Sequence, residues 1–248
     1  MRIIAVSNIK GGVGKTTTAV NLAYLSAAGG DRTVLWDLDP QGAASWILQA
    51  DPDKRATVRQ LLDGKRELDE IVVGTEYENL DVIPADFSYR KFDEQLAEQK
   101  NPTKRLLRMS RPLDEHYDTL FMDCPPGISL LSESVLRAAD ALIVPLLPTP
   151  LSVRMLEQLV EFIDAHEWAD LKLLPVFSMV DRRKSLHHEV IEATRKQFRQ
   201  VLATEVPYSS EIERIAMRRA PLNSYTPGSE QGQVYQSLWN EVKKRLRR

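Results

Sequence analysis

The run Lys10-Gly11-Gly12-Val13-Gly14-Lys15-Thr16-Thr17-Thr18 concentrates the most chemistry in the sequence. Glycines let a backbone turn so that its N–H groups converge on phosphate oxygens. The helix formers that follow, Ala19, Leu22, Ala23 and Leu25, add the partial positive charge of a helix N-terminus. Lys15 then supplies a full charge to β- and γ-phosphates, and the Thr16 hydroxyl is placed to ligate Mg2+. A glycine turn that merely joins a strand to a helix would need the Gly-Lys-Thr string and its setting to coincide by accident. The general phosphate-loop pattern asks for glycine six residues before the lysine. Here that place holds Ile9, and a second lysine, Lys10, stands five before Lys15. Lys10 reads either as an ordinary solvated loop residue or, because Lys15 already serves the cradle, as a charge meant for a nucleotide in another subunit.

Two further segments end apolar stretches in acids. Asp37-Leu38-Asp39-Pro40-Gln41-Gly42 is an acidic strand end followed by a turn, which taken alone also fits helix capping and turn formation. Thr119-Leu120-Phe121-Met122-Asp123 runs into Cys124-Pro125-Pro126-Gly127. A metal-holding strand must be buried while its last carboxylate reaches the ion, so Asp123 is expected to hold Mg2+ through water. Cys124 has no histidine near it in sequence and reads as small packing.

These residues need elements to hold them. Short runs rich in Val, Ile and Leu alternate with stretches of helical period, the pattern of parallel strands buried beneath helices on both faces. Strands are expected at Arg2 to Asn8, Thr33 to Asp37, Leu80 to Ile83, Thr119 to Asp123, Ala141 to Pro145, Lys172 to Met179 and Thr204 to Val206. Helices are expected at Lys15 to Ala28, Phe87 to Glu98, Ser152 to Trp168, Leu186 to Gln200 and Gln233 to Arg247. Gln49 to Leu80 reads as short helices joined by polar turns. Ligands of such a sheet sit outside the carboxyl ends of its strands, where the glycine loop and both acids fall.

The 248 residues, 43% hydrophobic and 27% charged, have ordinary globular composition, which excludes a disordered or collagenous chain and fits one domain over residues 1–248. With Cys124 as the single cysteine, an internal disulfide or a multi-cysteine metal site within one chain is excluded. No apolar run approaches the roughly 18–20 residues of a membrane span, and Met1-Arg2-Ile3-Ile4 leads straight into a strand, so a cytoplasmic protein is expected. The net charge of -2 hides an asymmetry. From Arg182 to Arg248, 14 lysines and arginines stand against 7 acids, the balance either of a polyanion-facing surface or of solvated helix faces.

Lys10 to Thr17 closely resembles the deviant Walker A motif of the ParA/MinD family of P-loop ATPases. The likeness extends less specifically over almost the whole chain, most nearly to small, Soj-like ParA partition ATPases without an N-terminal helix-turn-helix extension. The resemblance implies a P-loop NTPase fold, a mostly parallel twisted sheet with helices on both faces. It also implies a homodimer that sandwiches two ATP molecules with Mg2+. Lys10 would then act on the nucleotide of the opposite protomer, as an arginine finger does, a contribution of roughly 10³ to 10⁵ in rate. Lys15 would bind phosphate. Asp39 matches the switch I aspartate that positions the attacking water, and it would join Thr16 and Asp123 around Mg2+, the aspartates through water. Aspartate is a weak base, so slow turnover is expected. Pro125-Pro126-Gly127 resembles switch II. Val176 to Arg182 resembles the strand end beside adenine and Val206-Pro207-Tyr208 the second adenine loop, which puts Met179, Pro207 and Tyr208 at the base.

For the purpose of the ATP cycle, three readings compete. The first is a nucleoid-associated partition or positioning ATPase. ATP closes the dimer, the dimer holds double-stranded DNA without sequence preference, and a ParB-like or other cargo adaptor triggers hydrolysis. Arg182, Arg183, Lys184, Arg214, Arg218 and Arg219 are the candidate DNA contacts. The second is membrane recruitment as in the MinD branch. It would use a C-terminal helix with Val234, Leu238, Trp239, Val242 and Leu246 on one side and Lys243, Lys244, Arg245, Arg247 and Arg248 at its end. Relatives of this length pack that segment on the sheet, which makes membrane the less favoured partner. The third, a metal-cluster carrier, would need more cysteines than Cys124. His187-His188 is expected on an exposed helix face, since adjacent side chains diverge on a helix.

Overall fold

Neighbouring residues of a strand face opposite sides of its sheet, and in Ile3-Ile4-Ala5-Val6 both sides are apolar, so the first strand must lie between two layers. The computed structural model, which describes residues 1–50, 55–166, 168 and 170–247, builds those layers on one eight-stranded sheet. Its strands are β1 (Arg2–Val6), β2 (Thr33–Asp37), β3 (Val73–Gly74), β4 (Leu80–Ile83), β5 (Thr119–Asp123), β6 (Ala141–Leu146), β7 (Lys172–Val180) and β8 (Glu205–Pro207). The spatial order is β3-β4-β2-β5-β1-β6-β7-β8, parallel throughout except for the antiparallel pairing of β3 with β4.

The helices are α1 (Lys15–Ala28), α2 (Ala43–Ile47), α3 (Val58–Leu62), α4 (Phe92–Ala97), α5 (Arg105–Ser110), α6 (Leu130–Ala138), α7 (Pro150–Ala165), α8 (Ser185–Gln197), α9 (Ser210–Glu213), α10 (Ile215–Arg218), α11 (Leu222–Tyr225) and α12 (Glu230–Leu246). One face of the sheet, with Ile3, Ala5, Trp36, Leu120 and Met122, packs on Leu61, Phe92, Leu106, Val135 and Leu156 of α3 to α7. The other, with Ile4, Val6, Leu35 and Phe121, packs on α1 and α12.

On α12, Tyr235, Leu238, Trp239 and Val242 are buried at helical spacing, and the Trp239 ring lies 5.8 Å from that of Phe121. Burying an aliphatic side chain of this size contributes about 1.5–3 kcal/mol. The apolar stripe that a headgroup layer would have to accept is therefore held by the sheet. Among the described residues no helix is long and apolar enough to cross a membrane. Arg248 of the basic end lies outside the described residues.

Several elements differ from the sequence expectation. The helix expected over Phe87 to Glu98 divides into a 3-10 turn, Phe87–Lys91, and α4. The helix expected to run to Trp168 ends at Ala165, and Glu167 lies outside the described residues. Gln49 to Leu80, of which 51–54 lie outside the described residues, contains α3, a 3-10 turn Asp69–Ile71 and the unexpected two-residue β3. Helix α6 has no counterpart among the expected elements, although Ser129 and Ser132 form a reciprocal capping box at its start. His187 corrects the exposed-face reading. It is buried on the inner side of α8, where its Nδ1 accepts from the Asp181 N–H at 3.1 Å, while His188 is exposed.

Candidate functional site

The register of three central strands sets the site. Val6, Asp123 and Asp37 are Cα partners across β1, β5 and β2, so the glycine loop and both acidic strand ends leave the sheet at one level. The loop turns through left-handed backbone at Gly12 (φ 69°) and Gly14 (φ 88°), which side chains strongly disfavour. It is braced from two directions. The Asn8 amide donates to the Pro145 carbonyl at 2.6 Å and its oxygen accepts from the Lys10 N–H at 2.9 Å. The buried Ser178 hydroxyl donates to the Val13 carbonyl at 2.6 Å. Neither Asn8 nor Ser178 stands out as a brace in the sequence.

Helix α1, with Gly14 at its N-cap, has no side-chain cap, in contrast to α7 and α12, capped by Thr149 and Ser229, and no acid in its first turn. Its first N–H groups and their positive dipole end are open to an anion. Lys15 is buried, and its ammonium donates to the Lys10 carbonyl at 3.1 Å. Burial lowers its pKa, opposed by the charges of Asp123 and Asp39. The Lys10 side chain is half-buried and takes no part in that bond.

Asp37 and Asp123 are both fully buried. Asp37 accepts from the Ser45 N–H at 2.8 Å and the Ser45 hydroxyl at 2.7 Å, and burial still raises its pKa to about 6. Neither oxygen of Asp123 has a hydrogen-bond partner. Burial and then the charge of Asp37 hold its pKa well above the carboxylate range. The Thr16 hydroxyl approaches it and partly offsets this without completing a bond. A buried acid with both oxygens orphaned, beside a threonine hydroxyl, fits a hydrated Mg2+, a hard cation that takes carboxylate, hydroxyl and water oxygens. Asp39 is half-buried and accepts from the Gln41 N–H at 3.0 Å, close enough to act electrostatically on Lys15 and Asp123. Sequence reasoning misses Asp37 as a site residue. The signal is there, since it ends β2 as Asp123 ends β5.

Beyond the phosphate loop a cavity of about 100 Å³ is lined by Gly14, Thr17, Ser178, Met179, Pro207 and Tyr208, with Ile47, Ile215 and Ala216 among its other walls. The three expected base contacts are thus brought together with the loop. Met179 holds a left-handed φ of 54°, and the Tyr208 N–H donates to the Val180 carbonyl at 3.0 Å. Cys124 is buried, and burial pushes its thiol pKa up strongly.

The basic candidates form two groups. Arg183 makes a two-pronged ion pair with Asp181, at 2.9 Å through each prong, Arg182 lies 3.8 Å from Glu230, and Lys184 is exposed where α8 begins. Arg214 is exposed between α9 and α10, Arg218 lies over the Tyr225 ring at 4.8 Å, and Arg219 lies over the Trp46 ring at 3.9 Å.

Residues 1–172 match the sequence family described as an AAA domain. The chain is 36% identical over 250 residues to the chromosome partitioning protein ParA of Myxococcus xanthus, covering 98% of this chain and 88% of that protein. It is 35% identical over 247 residues to the sporulation initiation inhibitor protein Soj of Bacillus subtilis, covering 97% and 98%. Among solved structures it resembles one described as cobyrinic acid a,c-diamide synthase from Mycobacterium smegmatis with a bound ATP analog and magnesium. There the TM-score is 0.83, with 28% identity and 100% and 96% of the two chains covered.

Proposed function

The chain belongs to the ParA family of P-loop ATPases, and from that premise we propose that it dimerises on binding ATP with Mg2+, holds duplex DNA nonspecifically in that state, and releases it when a cargo-bound partner stimulates hydrolysis. The cargo is a plasmid, a chromosome or a protein assembly, and the working place is the nucleoid.

In this reading the N–H groups of Gly11 to Thr17 and the open end of α1 cradle the phosphates, and Lys15 exchanges the Lys10 carbonyl for a phosphate oxygen. Thr16 and, through water, Asp123 and Asp39 hold Mg2+, which when bound supplies charge neutralisation on the β- and γ-oxygens. Asp39 orients the attacking water. Met179, Pro207 and Tyr208 flank adenine, and Lys10 of each protomer meets the γ-phosphate held by the other. The observation that carries the reading is the division of labour between the two lysines: the buried Lys15 ammonium is turned inward on the loop, whereas Lys10 gives that contact only its carbonyl.

The bench test measures mass by light scattering, and retention on random-sequence duplex and on anionic vesicles, each with a nonhydrolysable ATP analogue, ADP or no nucleotide. A dimer that retains duplex only with the analogue is expected. A monomer under all three conditions, or duplex retention indifferent to nucleotide, would sink it. Vesicles are expected to stay bare, because the apolar stripe of α12 is buried.

A further inference from the structure

The helix that follows Asp39 and the basic segment that follows the base loop are fastened to each other by a compact set of bonds. The Trp46 indole N–H, on α2, donates to the Ala216 carbonyl at 3.3 Å, and the Arg219 Nε donates back to the Trp46 carbonyl at 3.0 Å. The Arg219 guanidinium stacks over the Trp46 ring at 3.9 Å, and the Gln49 amide donates to the Arg219 carbonyl at 3.1 Å. The last bond joins two residues in left-handed backbone: Gln49 has φ 54° and Arg219 φ 51°. Each ends a short helix in the usual left-handed way, with the Ala50 N–H donating to the Ser45 carbonyl at 3.0 Å and the Ala220 N–H to the Ile215 carbonyl at 3.4 Å, so the contact joins the C-terminal end of α2 to that of α10.

The same contact touches the nucleotide site on both sides. Ser45, adjacent to Trp46, holds the carboxylate of Asp37, the strand partner of Asp123. Ile47 from the one half and Ile215 and Ala216 from the other wall the cavity beyond the phosphate loop. A ligand that fills this cavity therefore touches both jaws, whereas a cation beside Asp123 acts on the α2 jaw alone, through Asp37 and Ser45; Arg214 and Arg218 ride on the other jaw.

We propose that Trp46, Gln49 and Arg219 are positioning residues that clasp α2 to the segment Arg214–Arg219, so that the bound nucleotide sets how Arg214 and Arg218 are presented. The purpose of that presentation rests on the DNA-binding reading above, but the clasp itself can be tested without DNA.

Of the four tryptophans Trp46 is 56% exposed, Trp168 is half-buried, and Trp36 and Trp239 are fully buried, so acrylamide quenching of the full chain carrying Trp168→Phe weights Trp46. With Mg2+, the quenched fraction is expected to differ between ADP and a nonhydrolysable ATP analogue, and Arg219→Gln is expected to erase that difference. An unchanged difference when Arg219→Gln is added, or none in the Trp168→Phe chain itself, overturns the clasp. A second arm compares duplex retention with analogue and with ADP in Trp46→Phe, which keeps the ring and loses the N–H, in Gln49→Leu, and in their combination. The analogue-to-ADP ratio is expected to fall at least about fivefold in each single variant and no further in the double, with nucleotide affinity unchanged. Ratios equal to the original protein's, or losses that multiply in the double variant, count against it. If the original protein retains no duplex with either nucleotide, the functional reading fails while quenching still decides the clasp.

Discussion

Asp37 and Asp123 end neighbouring parallel strands as direct register partners, both fully buried, yet only Asp37 is hydrogen-bonded. Burial disfavours the charge of both acids, and the neighbouring Asp37 adds to it at Asp123, the one whose oxygens are orphaned. The nucleotide-free protein thus stores an electrostatic penalty at the position where a divalent cation would relieve it.

Asp123→Asn should accordingly stabilise the protein without nucleotide at neutral pH, by roughly 1–3 kcal/mol in chemical denaturation, while removing Mg2+-dependent hydrolysis. The sign follows from the raised pKa: the folded state favours the protonated acid, so the original protein loses stability as pH rises through that pKa, and the gap to the variant closes as pH falls. A destabilised Asp123→Asn protein at pH 8 would contradict this account.

Lys15→Ala is expected to abolish ATP binding in calorimetry. Lys10→Ala should keep binding and lose dimer-dependent turnover, a drop of roughly 10³-fold or more if the contact stabilises transition-state charge as an arginine finger does. Normal turnover by the Lys10 variant would refute its action across the dimer.

Asp39→Ala should accumulate as an ATP-bound dimer, since water orientation is removed while the phosphate cradle is intact. Size-exclusion chromatography with ATP and Mg2+ giving only monomer would count against that role.

His187 offers a pH test away from the phosphate loop. Burial, then the nearby Lys184, lower its pKa despite Asp181, and its neutral Nδ1 accepts the Asp181 N–H. The unfolded chain therefore takes up the proton first. The stabilisation is complete above about pH 6.5 and is lost as pH falls below it, by about the 0.5–1.5 kcal/mol of one hydrogen bond. An NMR titration should show the Asp181 amide shift following the His187 ring, and an amide indifferent to that titration would remove the coupling.

Reversing Arg214 and Arg218 to glutamate should weaken analogue-dependent duplex retention and flatten its salt dependence by about 0.9 in log–log slope for each DNA phosphate no longer neutralised, with nucleotide affinity unchanged. Retention equal to the original protein's would take both residues off the DNA surface.

The strands are legible because burial on both faces forces near-continuous apolar runs, and β2, β4 and β5 fall at the expected residues. Thr119-Leu120-Phe121-Met122-Asp123 shows its depth and its terminal acid in one line of sequence. The short helices are not legible. Five residues such as Ala43–Ile47 span little more than one turn, too few to display a period, and α2 is held by Ser45 on Asp37 and Trp46 on Ala216, bonds made across the fold. His187 escapes for a related reason: spacing along α8 says which side chains diverge, whereas the Asp181 amide decides which one turns inward. The left-handed backbone at Gln49 and Arg219 ends two helices too short to be read from the sequence, and that at Met179 falls in the irregular stretch of β7 beside β8.

Cys124, the single thiol of the chain, is sealed in the core with its pKa driven upward, which leaves it a poor nucleophile. A cysteine introduced on the exposed Glu213 would be the one residue that maleimide dyes reach readily. The molecule can thus be labelled at a chosen point on its basic segment without first being stripped of background reactivity, ready for single-molecule distance measurements through the nucleotide cycle.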